Sequence, residues 1–242
     1  MNTPPIVSPQ EWEDARLQMR VKEKEVMRAH DALAAERRRM PWKAVDKDYS
    51  FDGPDGPVSL GDLFAGRRQL VLYRAFYEPG VHGWPEHACV GCSLMADHVP
   101  NLTHLNARNT TLVYASRAPQ SNIQDLKARM GWEHIPWVTI TDDFDADFGV
   151  DEWHATMTFI RDEDRIFQTY LIDGRGDESA VATWTYLDLT ALGRQETWED
   201  SPEGYPQEQP YMWWRWHDAY ETELTQGMLD QIARAPDAQG SV

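Results

Sequence analysis

Two cysteines, Cys89 and Cys92, lie in the stretch HACVGC and are the only cysteines of the 242-residue chain. Two residues separate them, so a mixed disulfide formed by one thiol lies within reach of the other, as thiol–disulfide exchange requires. The pair also supplies half of a common zinc-ligand set. A purely structural interpretation remains as well, because free cysteine is among the most frequently buried residue types.

The segments around the pair favour redox chemistry. Residues 69–77, QLVLYRAFY, read as a buried strand, and the residues after the pair have helical spacing. At a helix N-terminus the free N–H groups and the dipole favour a thiolate, so thiol pKa values fall from ~8.5 toward ~3.5–7.5. We therefore predict Cys89 as the nucleophile and Cys92 as the resolving thiol. His87 is predicted to tune the thiolate, with a solvated loop histidine as the alternative.

A zinc site would draw on His87, Cys89, Cys92 and His98. His87 is too near Cys89 to chelate well, and no second CxxC or HxxxH pair completes a known spacing. The sequence therefore predicts no metal and no bound cofactor. Residues 175–177, an Arg-Gly-Asp tripeptide, are interpreted as a turn.

Charge and composition restrict the class of partner. The formal net charge is −17, which disfavours nucleic acid and anionic membrane surfaces, since both attract positive potential. The start of the chain lacks the features of a secretory signal, and no apolar run is long enough to span a bilayer. We expect a cytoplasmic protein, in a compartment where a close cysteine pair is more often catalytic than structural.

The first forty residues predict one long helix. Ser8 is the expected N-cap, Pro9 fits the first turn, and Glu11 completes a capping box. Apolar residues then recur every seven positions, which gives a narrow stripe. We expect an arm packed on its own domain; the alternative is a dimerisation helix that makes the protein a homodimer. The stripe consists of Trp12, Met19, Val26, Leu33 and Met40.

Strands and helices alternate from residue 49 onward and end in a hairpin over residues 155–172, which predicts an α/β fold with a mixed sheet flanked by helices. Five large aromatic residues then crowd residues 211–220, where a packing role is favoured over a ligand pocket. The predicted division is a helical arm over 1–45, the α/β domain over 46–192 and an aromatic-rich C-terminal extension over 193–242.

Several motifs together resemble the thioredoxin superfamily. They are FDGPDGPVSLGDLF, LVLYRAFY, CVGC, TLVYASRAP, IQDLKARMGW, DFDADFGV and TMTFIRDEDRIFQTY. With the N-terminal RAHDALAAERRRMPW and the late YLDLTALGR, the chain is similar to an uncharacterised bacterial family described as predicted dithiol-disulfide oxidoreductases. The resemblance implies a thioredoxin-like fold with Cys89 and Cys92 as the redox pair.

The chain departs from the thioredoxin pattern around the pair. Ala88 stands where thioredoxins carry a tryptophan, and the nearest tryptophan is Trp84. The usual cis-proline position holds Ala155 and Thr156, preceded by His154. The resemblance therefore assigns Trp84, Ala155 and Thr156 to substrate contact. The residues that a peroxiredoxin needs upstream of its reactive cysteine are missing, so peroxidase activity is not predicted.

The resulting functional prediction is a thiol–disulfide oxidoreductase acting on a thiol or disulfide, on a protein or a small molecule. The alternatives are a thioredoxin-fold binding protein without redox turnover and a protein with a Cys/His zinc site.

Overall fold

A single eight-stranded sheet organises the molecule. The computed structural model describes residues 3–150, 153–221, 226, 227 and 230. The strand order across the sheet is β1-β8-β7-β4-β5-β6-β2-β3. The strands are β1 (Lys43–Val45), β2 (Ser50–Gly53), β3 (Gly56–Ser59), β4 (Gln69–Arg74), β5 (Thr110–Ser116), β6 (Trp137–Ile140), β7 (Ala155–Asp162) and β8 (Arg165–Ile172).

Four neighbouring strands, in the order β8-β7-β4-β5, define a thioredoxin-like fold. β4 and β5 run parallel, and β7 pairs antiparallel with the other edge of β4, with β8 antiparallel beyond it. A parallel pair needs a crossover, which the helices between β4 and β5 supply. The predicted mixed sheet and thioredoxin-like fold are therefore confirmed.

In the described part of the chain, six complete α-helices and two short 3-10 helices accompany the sheet. Pro100 separates the second and third α-helices, as its missing N–H predicts. Gly131 ends the fourth helix in a left-handed conformation, with φ of 72°. The α-helices are α1 (Pro9–Arg37), α2 (Val90–Asp97), α3 (Thr103–Asn106), α4 (Gln120–Met130), α5 (Phe144–Asp147) and α6 (Ala182–Asp188), and the 3-10 helices are Asp62–Phe64 and Gly174–Ala180.

Two apolar cores lie on opposite faces of the sheet. Along β4, Leu70 and Leu72 belong to one core and Tyr73 to the other, because successive side chains of a strand alternate between faces. The core that contains Tyr73 also holds both cysteines and the buried face of α4. The cysteine pair is thus anchored to the centre of the sheet.

Helix α1 begins as predicted, with both hydrogen bonds of the capping box between Ser8 and Glu11. The expectation that it packs on its own domain is wrong: none of its residues is buried, and all five stripe residues are exposed, from 43% for Met40 to 68% for Val26. A regular stripe shows that a helix has an apolar face but does not show what covers it. The homodimer through α1 stays a prediction.

The segments that flank the predicted central domain also contact the sheet and its cores. β1, within the predicted helical arm, pairs with β8 as an edge strand. Trp216, in the C-terminal extension, is buried in the core of the cysteine pair. Part of the predicted arm and part of the predicted extension thus pack against the predicted central domain, and the three domain bounds stay a prediction.

A buried ion cluster stabilises the end of β4. Arg74 is fully buried, and its Nη2 donates to Asp145 at 3.0 Å and to Glu78 at 2.8 Å. Arg117 adds two further hydrogen bonds to the same carboxylate of Asp145, at 2.6 and 3.0 Å. Asp145 is itself fully buried, so its charge is compensated only by these guanidinium groups and local N–H donors.

We predict that Asp145→Asn lowers the free energy of unfolding by about 3 kcal/mol, because it leaves the buried Arg74 charge incompletely paired. Urea unfolding followed by circular dichroism measures the loss. Asp162→Asn is the matched control, since it breaks an exposed pair with Arg68 and should cost less than about 1 kcal/mol. Equal losses in the two variants would contradict the structural role of the buried cluster.

Candidate active site around the cysteine pair

The cysteines lie at the end of the loop that connects β4 to α2. The loop after β4 returns to the sheet at Cys89, whose N–H donates to the carbonyl of Phe76 at 3.0 Å. Cys89 is the N-cap of α2, and its carbonyl accepts from the Ser93 N–H at 2.9 Å. The prediction that the pair follows a strand and opens a helix is therefore confirmed.

Both cysteines carry free thiols and are buried, with 9% of Cys89 and 1% of Cys92 exposed. Cys92 is held from the sheet side: its Sγ accepts hydrogen bonds from the Tyr73 hydroxyl at 3.4 Å and the Phe76 N–H at 3.2 Å. Cys92 therefore faces the core, whereas Cys89 borders a cavity.

The two thiols differ in acidity. The hydrogen bond from the Cys92 thiol is the main cause that lowers the pKa of Cys89 to about 6; burial opposes it, and the backbone N–H of Cys92 and the charge of His154 add to it. Burial, together with the neighbouring Cys89 thiolate, raises the pKa of Cys92 well above its ordinary value. At neutral pH the proton of the pair therefore resides on Cys92.

A cavity of about 90 Å³ opens beside Cys89. Its floor is the first turn of α2, and its walls come from α6, the second 3-10 helix and the C-terminal segment. The aromatic residues of that segment thus both pack and line a pocket. The lining residues are Tyr73, Cys89, Val90, Gly91, Leu94, Met95, Trp153, His154, Gly174, Arg175, Asp177, Glu178, Val181, Trp184, Tyr211 and Trp214.

A histidine and a carboxylate meet in this cavity. His154 Nδ1 lies 3.4 Å from Asp177 Oδ2, and the two side chains are 17% and 5% exposed. The geometry is that of a close ion pair when His154 is protonated, without the alignment of a hydrogen bond. Sequence reasoning missed both residues: Asp177 was interpreted as part of a turn, and His154 was noted only for the missing proline. The position of His154, directly before the strand that pairs with β4, was the sequence feature that could have indicated a site residue.

The predicted site residues divide around the cavity. His87 does not line it: the ring stacks on Trp216 at 4.2 Å between centroids, and Nε2 lies 2.9 Å from Asp218. Trp84 packs on Tyr77, at 4.9 Å between ring centroids.

Ala155 and Thr156 lie in β7, opposite Arg74 and Tyr73, and Ala155 is fully buried. Trp153 and His154, the two residues before them, line the cavity instead. The assigned roles of His87, Trp84, Ala155 and Thr156 stay predictions.

The zinc-ligand set is not brought together. His98 uses Nδ1 toward the Leu94 carbonyl at 2.8 Å and Nε2 toward the Thr183 hydroxyl at 2.8 Å. Within the described ranges, no three His, Cys, Asp or Glu side chains are grouped as a metal site would need. A search of the same residues for a helix long and apolar enough to cross a membrane finds none.

We predict that Cys89 alkylation by iodoacetamide rises between pH 5 and 7 and then levels off, because the thiolate is populated above its lowered pKa of about 6. Mass spectrometry of peptides after timed quenching gives the rate for each cysteine. In Cys92→Ala the midpoint should move to higher pH, since the thiol donor is lost. A wild-type midpoint near 8.5, or faster alkylation of Cys92, would contradict the proposed thiolate.

Six other ionisable side chains line the same cavity, and burial raises the pKa of its two tyrosines above the ordinary value, so neither tyrosine titrates in this range. The six side chains are Tyr73, His154, Arg175, Asp177, Glu178 and Tyr211.

The chain was compared with known proteins. No curated protein matches it. Similar solved structures include a thiol:disulfide interchange protein from Bacteroides sp., with 14% identity, a TM-score of 0.40 and coverage of 63% of this chain and 93% of that one. Peroxidoxin BcpB from Mycobacterium tuberculosis has 20% identity, a TM-score of 0.39 and coverage of 59% and 96%. A family model matches residues 1–220, and the chain therefore belongs to the family described as "Bacterial protein of unknown function (DUF899)".

Proposed function

We propose that the protein is a thiol–disulfide oxidoreductase in which Cys89 is the nucleophile and Cys92 the resolving thiol. The observation that carries the proposal is the placement of two free thiols at the N-terminus of α2, with Cys89 at the edge of a cavity and Cys92 buried behind it. This arrangement supplies a thiolate at neutral pH and a second thiol beside it.

The exchange takes place in two displacements. The Cys89 thiolate attacks one sulfur of a substrate disulfide, which forms a mixed disulfide and releases the other half of the substrate as a thiolate. Cys92 then loses its proton and attacks Cys89 Sγ, which forms the Cys89–Cys92 disulfide and releases the second half. The substrate gains two electrons and the protein loses two, and an external thiol or dithiol restores the reduced pair by the reverse steps.

The surroundings of the two sulfurs match these different tasks. Cys89 borders the cavity, where an incoming disulfide has access, and a protonated His154 beside Asp177 favours the thiolate there. Cys92 is enclosed by the sheet and the loop after it, so it meets a disulfide only after Cys89 has bound it. No bound cofactor takes part in this scheme, and the cytoplasm is the proposed compartment because it keeps such a pair reduced.

A second candidate function is ligand binding without redox turnover. The largely apolar cavity favours it, because apolar pockets with a few polar groups are typical small-molecule sites. In that case the cysteines would be part of the wall and would not exchange with disulfides.

Trapping the mixed disulfide separates the two functions. We expect Cys92→Ala, incubated with bis(2-hydroxyethyl) disulfide at pH 8, to gain one mercaptoethanol adduct per chain on Cys89, since no resolving thiol can displace it. Wild-type protein should accumulate the internal disulfide instead, and Cys89→Ala should gain no adduct within the same time. Intact-mass and peptide mass spectrometry measure all three. An unmodified Cys92→Ala protein would support the binding function and contradict the oxidoreductase.

A further inference from the structure

The cavity beside Cys89 gives access to its sulfur, and the surroundings of the cavity limit what reaches it. Only 9% of Cys89 is exposed, and the residue lines the cavity wall. The Cys89 thiolate must attack a disulfide sulfur along the axis of the S–S bond that breaks, so the substrate has to place its own sulfur inside this space.

The C-terminal segment covers the surface on both sides of Cys89. Trp216 Nε1 donates to the carbonyl of Ala88 at 2.8 Å, and its ring stacks on His87. Trp214 lies over Gly91, where an added Cβ would come within 3.0 Å of the indole ring. The backbone next to Cys89 at Ala88 and Gly91 is therefore covered by indole rings, which hinders the approach of an extended peptide chain there.

The volume of the cavity sets a limit on size. At about 90 Å³ it is smaller than the ~150 Å³ apolar cavities that accept benzene. A chain of a few carbons with its sulfur fits this space, whereas a folded protein loop does not.

The polar atoms of the cavity indicate which polar groups the ligand carries. Among the described residues, the buried Trp153 Nε1, Trp214 Nε1 and Asp177 Oδ2 lack a hydrogen-bond partner. Asp177 is only 4% exposed, so its carboxylate is aimed into the protein interior next to the cavity. Leaving the two indole N–H groups unpaired costs roughly 1–3 kcal/mol each, which a ligand with its own acceptor would recover. Asp177 lies 3.4 Å from His154 without a hydrogen bond, so its carboxylate can still accept one from a ligand donor.

We infer that the substrate is a compact, uncharged or cationic low-molecular-weight disulfide with a hydroxyl or amino group, which binds in this cavity against Trp214 and Asp177. The hydroxyl or amino group donates to the Asp177 carboxylate, and a hydroxyl oxygen can also accept from an indole N–H. At that position the charge of Asp177 disfavours a carboxylate on the substrate, and Arg175 and His154 also border the space. This inference rests on the proposed oxidoreductase function.

The test compares disulfides that differ in size and in polarity. The second-order rate constant for oxidation of the reduced protein is measured by quenched-flow mass spectrometry. The probes are bis(2-hydroxyethyl) disulfide, diethyl disulfide, glutathione disulfide and the disulfides of insulin. We expect bis(2-hydroxyethyl) disulfide to react at least tenfold faster than glutathione disulfide or insulin.

Two variants test the cavity itself. Val181→Phe fills the cavity from the α6 side and should lower the rate constant for oxidation by bis(2-hydroxyethyl) disulfide at least tenfold. The redox equilibrium of the Cys89–Cys92 pair in glutathione buffers should stay unchanged. Trp214→Phe keeps the six-membered aromatic ring and removes the N–H. It should lower the rate constant for oxidation by bis(2-hydroxyethyl) disulfide several-fold and leave the rate constant for diethyl disulfide unchanged. Trp42→Phe is the matched control, because Trp42 is 47% exposed and lies outside the cavity.

The outcomes separate the two proposals. If no probe oxidises the pair, the oxidoreductase function fails and the inference fails with it. If insulin or glutathione disulfide reacts as fast as bis(2-hydroxyethyl) disulfide, or if Val181→Phe and Trp214→Phe both behave as Trp42→Phe does, the function stands and the small-molecule site is overturned. Should Val181→Phe fail to fold, the Trp214→Phe comparison still decides.

Discussion

The placement of two buried thiols at the start of α2 is the constraint on which the site depends. It divides one proton unequally between two buried sulfurs, so that Cys89 carries the charge and Cys92 carries the proton. Burial alone would raise the pKa of both thiols, because a charge is poorly solvated in an apolar core. That effect is overcome at Cys89 only, first by the side chain and N–H of Cys92, which favour the Cys89 thiolate, and then by the charge of His154. Cys92 lies one helical turn further along α2, where burial keeps its pKa raised.

The sheet and the C-terminal segment hold the different surroundings of the two thiols in place. β4 supplies Tyr73, which donates to Cys92, and the same strand pairs with β7, which begins directly after His154. The cavity wall depends on Glu196, a fully buried carboxylate. It accepts from the Trp213 and Trp198 indoles and from the Tyr211 N–H, at 2.6 to 2.9 Å. One buried anion thus fixes the aromatic segment over the cysteine pair, and the neutral donors around it keep that anion satisfied.

Much of the fold could be predicted from sequence because its signals are local. The capping box at Ser8, the Gly131 stop and the hairpin of β7 and β8 each depend on residues a few positions apart. The cysteine pair was likewise visible, since spacing and the strand before it carry the information. The surroundings of α1 were predicted wrongly, because periodicity reports a face and not its partner.

The polar side of the site could not be predicted from the sequence. His154 and Asp177 are 23 positions apart in the numbering and more than sixty from Cys89, and they meet only when the second 3-10 helix folds back over β7. Nothing in the residues around Asp177 distinguishes a buried carboxylate from a turn. The role of the aromatic residues was also ambiguous, since the same tryptophans pack a core and line a cavity.

The central claim is that Cys89 and Cys92 form a reversible redox couple, and one equilibrium measurement tests it most directly. The metal-free protein is equilibrated in graded glutathione buffers, and its alkylated thiols are counted by mass spectrometry. The account predicts a single transition, with a definable midpoint, from two alkylated thiols per chain to none. No stable glutathione adduct should form at intermediate ratios. A pair that stays reduced across the whole range, or a transition that appears only when a chelator is added, would contradict it.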